Sequence, residues 1–101
     1  MRTCVDQLMA LPHIDGPRLK LEAEFISRRL ESLKYHGKIS NDAFLDAGSI
    51  QGAFEMIANL IDMGISQNEI FSQIKQQLER ARKLETKYPG LNHAIESGRA
   101  S

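Results

Sequence analysis

Apolar positions between Ala43 and Met63 fall on two sides of a helix. At about 100° per residue, Ala43, Ala47, Ile50, Phe54, Ile57 and Ile61 share one face, with Ala58 beside them. Their alternating spacing of four and three holds a stripe on one side of a helix. Leu45, Met56, Leu60 and Met63 fall on a second face, joined to the first through Ala53. Gln51, Glu55, Asn59 and Asp62 form the polar strip. A surface helix needs one apolar stripe, so a helix apolar on two sides is expected to lie buried between neighbours. Gly48 and Gly52 also share one side. They mark either a close approach by another backbone or partner, or a break that starts the true helix at Ser49.

The rest of the chain also reads as helix. Val5, Leu8 and Met9 pattern a short helix over residues 3–11, and the segment from Pro12 to Pro17 breaks it. Pro17 suits the first turn of a second helix that runs to about His36 and stops at Gly37. Leu19, Ala23, Ile26, Leu30 and Leu33 form its main stripe. Leu21, Phe25, Arg28, Ser32 and Tyr35 lie roughly opposite, so Leu21, Phe25, Arg28 and Tyr35 form a candidate protein contact surface unless the chain ends cover it. Ser40 or Asn41 caps the central helix, and Gly64 ends it. Ser66 and Glu69 have capping-box spacing, with Ile65 and Ile70 placed as a hydrophobic staple. Ile70, Phe71, Ile74, Leu78, Ala81, Leu84 and Tyr88 pattern the next helix up to Pro89 and Gly90, and Leu91 to Ser97 a short last one. The expected fold is all-α: an antiparallel three-helix bundle with short additional N- and C-terminal helices, one domain over residues 1–101.

Charge adds a constraint. The 13 basic and 13 acidic residues cancel, and they divide evenly between the two halves of the chain. No segment carries the one-signed field of a strong nucleic-acid or membrane binder. Glu55, Asn59 and Asp62 interrupt the most apolar region, so no membrane span is expected. The single cysteine, Cys4, rules out an intrachain disulfide. With no signal peptide visible, a cytoplasmic location is expected.

Catalytic chemistry is not expected. His13, His36 and His93 lie far apart, no pair has metal-ligand spacing, and Cys4 has no nearby cysteine. The carboxylate pairs Glu22 and Glu24, and Glu79 and Glu85, read as solvated helix faces. Glu55 and Asp62 share a side of the central helix with Asn59 between them, and an exposed polar strip explains them. No enzyme activity, cofactor, metal or small-molecule substrate is inferred. The expected function is that of an adaptor, inhibitor or regulatory accessory subunit acting through a protein partner or as a homodimer. Met56 and Leu60 provide a second patch beside the one on the preceding helix.

The run from Leu60 to Ile70 resembles the turn of a helix-turn-helix DNA reader through Gly64, Ile65, Ser66 and Ile70. The resemblance covers about twenty residues. It implies a dimeric DNA-binding regulator as the alternative, with Gln67, Asn68, Ser72 and Lys75 near bases and Arg80, Arg82 and Lys83 near phosphates. The chain departs from the motif at Gln73, where an aliphatic side chain is normal, and the following helix is long for a reading helix.

Overall fold

A computed structural model of the chain describes residues 1–99, so positions 100 and 101 of the expected domain lie outside the described residues. Among the described residues there are five helices and no strand: α1 (Arg2–Met9), α2 (Gly16–Tyr35), α3 (Asn41–Asp62), α4 (Gln67–Lys87) and α5 (Leu91–Glu96). No helix is long and apolar enough to cross a membrane among the described residues.

Local chemistry sets the helix ends. Asp15 caps α2 by accepting a hydrogen bond from the Arg18 N–H at 2.7 Å, with Pro17 in the first turn. Ser40 caps α3 through the Ala43 N–H at 3.0 Å, and Ser66 caps α4 through the Glu69 N–H at 3.3 Å. Gly64 ends α3 at φ +88°, a left-handed conformation that only glycine adopts without strain. The Ile65 N–H then reaches back to the Leu60 carbonyl and the Gly64 N–H to that of Ile61, which is the hydrogen-bond pattern of a Schellman motif. Gly37 closes α2 in the same way.

Burial follows the predicted stripes. Leu19, Ala23, Ile26, Leu30 and Leu33 of α2 meet Ala47, Ile50, Phe54, Ile57 and Ala58 of α3. Ile70, Ile74 and Ala81 of α4 and Cys4, Val5 and Leu8 of α1 complete the core with Leu91 and Ile95 of α5. Helix α3 packs against both α2 and α4, while α1 lies on α4 and α5 touches α1, α2 and α4. The short helices therefore fill space between the two outer long ones.

Polar side chains bolt the short elements in place. The Gln67 amide accepts from the Ile14 N–H and donates to the Ile14 carbonyl, both at 3.0 Å, which fastens the α1–α2 loop to the start of α4. Glu85 of α4 accepts from the Gly90 and Asn92 N–H groups at the start of α5. Arg29 of α2 donates to the Ala94 and Ile95 carbonyls at its end. An anion at the amino end and a cation at the carboxyl end suit the dipole of α5. A six-residue helix has little stability of its own, so these two side chains and its buried Leu91 and Ile95 hold it.

One open alternative is decided here and one expectation is corrected. The chain does not break near Gly48, because α3 is continuous from Asn41 to Asp62. The second apolar face of α3 is also not buried between neighbours. The short helices pack on α1, α2 and α4 instead, and Leu45, Met56 and Met63 stay exposed.

Candidate functional site

The exposed apolar surface centres on α3. Leu45 is 59%, Met56 55% and Met63 80% exposed, and Leu60 is half-buried. On a wheel at about 100° per residue, Leu45, Gly52, Met56 and Met63 fall within about 20° of one line. That line lies diametrically opposite the buried stripe through Ala43, Ala47, Ile50 and Phe54. Gly48 and Gly52 flatten the surface. A Cβ at either glycine would meet nothing within 4 Å. Each lowers helix stability by roughly 1 kcal/mol relative to alanine, and no contact within the chain recovers that loss.

The flanks of this stripe are polar and largely neutralised. On the α4 side, Asp46 accepts from Lys87 Nζ at 3.1 Å and from the Tyr88 hydroxyl at 2.8 Å. These hydrogen bonds hold the Asp46 carboxyl below its usual range and raise Lys87 above its own. Arg80 donates to Ser49 across the same groove. On the α2 side, Lys20 pairs with Asp62 at 3.2 Å. Glu55 instead accepts from Gln51, so Glu55 and Asp62 do not converge.

The patch expected on α2 is interrupted. Leu21 is 63% and Tyr35 86% exposed, and Arg28 is exposed between them. Phe25 is half-buried under the Arg99 guanidinium, which sits 4.1 Å from its ring centroid in a cation–π contact. Leu21 and Tyr35 therefore flank a covered ring. Of the residues singled out from sequence, Met56 and Leu60 lie on the α3 surface. Leu45 and Met63 belong there too. They share the wheel face of Met56, and that shared face was the signal available for choosing them.

Arg99 also organises a polar cluster that sequence reasoning missed. Its guanidinium donates to both Glu22 carboxylate oxygens at 3.0 Å, to Glu96 at 2.6 and 3.1 Å, and to Cys4 Sγ at 3.1 Å. Glu22 is buried at 4% exposure, which corrects its placement on a solvated face. Burial pushes the Glu96 carboxyl up, but the bonds from Arg99 and Cys4 outweigh it and hold the group below its ordinary range. Burial pushes the Cys4 thiol far up, and its hydrogen bond to Glu96 adds to the shift. A thiol held protonated is a poor nucleophile, and the bonds of this cluster tie α1, α2 and the end of α5 together.

The DNA-reading candidates are scattered in role. Gln67 spends its amide on Ile14. Asn68, Ser72 and Lys75 are exposed on α4, and Arg82 pairs with Glu79 at 3.1 Å. Gln73 is half-buried, and the buried Gln77 accepts from Arg80 at 2.9 Å. An open cleft of about 370 Å³ is lined by Lys38, Ile39, Ser40 and Ala43 on one side and by Lys87 to Leu91 on the other. Among the described residues, no three His, Cys, Asp or Glu side chains are grouped to hold a metal ion. Comparison with protein-family models, curated proteins and solved structures finds no match for this chain.

Proposed function

We propose that this chain is a non-enzymatic helical protein that acts through protein contacts, as an adaptor, inhibitor or regulatory accessory subunit. One observation carries this: the exposed line of Leu45, Met56 and Met63 on α3, set opposite its buried stripe. Exposed apolar side chains aligned on one helix face, with polar groups on both flanks, have the anatomy of an interaction surface. The frame we infer is an antiparallel three-helix bundle with two short added helices. Its support is that Lys20 near the start of α2 pairs with Asp62 at the end of α3, and Asp46 near the start of α3 pairs with Lys87 at the end of α4.

The same contacts weaken the duplex-binding alternative. The second half of α4 is tied to α3, with Arg80 on Ser49 and Lys87 on Asp46. A reading helix crosses its partner at a steep angle and projects away. Gln67, placed where the motif reads bases, is already engaged by Ile14.

The test is the size of the native complex. In a nuclease-treated lysate, the wild type is expected to elute above its 11.4 kDa chain mass. Met56→Asp is expected to return it to that mass with helix content unchanged by circular dichroism. The proposal fails if Met56→Asp leaves the complex intact. It also fails if the complex is lost on nuclease treatment or on Lys75→Ala.

A further inference from the structure

The α3 surface is complementary to itself when reversed. Turn the helix end for end about Phe54. Leu45 then comes level with Met63 of a second copy, and Gly52 comes level with Met56. On the α4 side, Ser49 faces Leu60 of the second copy, within reach of the groove that Ser49 lines with Ile50, Arg80 and Leu84. On the α2 side, Gly48 faces Asn59. Each large side chain in the middle of the surface meets a glycine or serine, and the two most exposed ones, Leu45 and Met63, close the ends. A parallel pairing in register sets Gly52 on Gly52 and Met56 on Met56, leaving a gap beside a collision.

Charge fits the same arrangement. Reversal brings Asp46 level with Asp62 of the second copy but on the opposite flank, so no two acids face each other. Each already holds a lysine, Lys87 at 3.1 Å and Lys20 at 3.2 Å. The open space at Gly48 and Gly52, unused within the chain, becomes the place where the opposing helix settles. We propose that this protein forms a two-fold homodimer through α3, packed head to tail against α3 of a second copy. This rests on the protein-contact function and names the partner.

The interface is modest. A helix of 22 residues is about 33 Å long and 10–12 Å wide, so the paired faces cover roughly 350 Å² per copy, below the roughly 800 Å² per partner of a standard interface, and the dimer is a weak one. The accessible surface of 5832 Å² is close to the roughly 5,800 Å² expected of a folded monomer this size. The chain therefore closes its own core, and the dimer forms reversibly between folded copies.

Cross-linking and solution mass test it on purified protein. Leu45→Cys and Met63→Cys in one chain sit about 27 Å apart on α3, too far for a bond within the chain. The double variant is expected to oxidise to a two-chain species, and each single variant to stay unlinked. Cys4 is buried and serves as the wild-type control. Light scattering is expected to give a mass that rises with concentration, from the chain mass when dilute towards twice that mass above about 100 µM. Gly52→Leu fills the recess from a position where an added Cβ meets nothing of its own chain within 4 Å, and is expected to weaken association more than tenfold while the dilute protein keeps its fold. A single-chain mass at every concentration overturns the proposal, as does cross-linking of either single variant as efficient as that of the double. If the purified protein stays single while its lysate complex still depends on Met56, the homodimer falls and the protein-contact function stands.

Discussion

Replacing Arg99 by alanine removes the cation that Glu22 and Glu96 share. The Glu22 side chain is 5% exposed, and its two oxygens take parallel hydrogen bonds from one guanidinium. The substitution leaves that carboxylate buried without its cation. It also uncovers the Phe25 ring and releases Glu96 and Cys4. Removing one partner of a fully buried pair costs about 3–5 kcal/mol. The Arg99 side chain is 26% exposed, so water can enter the vacated space, and about 2–3 kcal/mol is the expected loss. That is a large part of a domain's total stability of about 5–15 kcal/mol. Urea unfolding followed by circular dichroism at neutral pH measures it. The decisive comparison is with Glu22→Met/Arg99→Met in a Glu96→Gln background, which removes the cation together with both carboxylates it pairs with. Replacing a whole buried pair by apolar groups is often neutral, so this combined variant is expected within about 1 kcal/mol of wild type. If Arg99→Ala shifts stability by less than about 0.5 kcal/mol, the cluster is a surface decoration. If the combined variant is as unstable as Arg99→Ala, the loss is one of packing, and the orphaned charge is not its cause.

Two further outcomes follow from the helix caps and carboxylates. Ser66→Ala removes the oxygen that accepts the Glu69 N–H and is expected to destabilise the protein by about 0.5–2 kcal/mol in urea melts; an unchanged midpoint would place the cap elsewhere. Asp46 and Glu96 both titrate below their ordinary range in the fold. In acid the unfolded chain takes up their protons first, so their stabilisation is complete above the unfolded carboxylate range near pH 4 and is lost as pH falls through the lower folded values. Asp46→Asn and Glu96→Gln should each flatten the acid limb of a stability-against-pH curve, and an unaltered limb in both would remove these groups as its cause.

The stripe patterns and end signals were enough to locate all five helices. Leu19 to Leu33, Ala43 to Ala58 and Ile70 to Ala81 are buried as their spacing implies, because a helix places positions three and four apart on one side. Gly37, Gly64 and Ser66 act locally, within one turn of chain, so their roles were legible. Asp15 was overlooked because Pro17 two residues later offered the more familiar start signal.

The polar bolts were not legible. Glu22 looked like a solvated carboxylate because its partner Arg99 stands 77 positions away. Gln67 resembled a base reader because nothing local shows that it clamps Ile14. The fate of α3 had the same character. Sequence alone determined that this helix is apolar on two sides, since side-chain chemistry and helical period are properties of the local chain. Only the tertiary structure decided which side faces inward. The α2 and α4 helices pack against the stripe of Ile50 and Phe54, the short helices are held elsewhere by Asn92, Glu85 and Arg29, and Met56 is left in water. Which surface stays uncovered depends on where every other element has already found a partner.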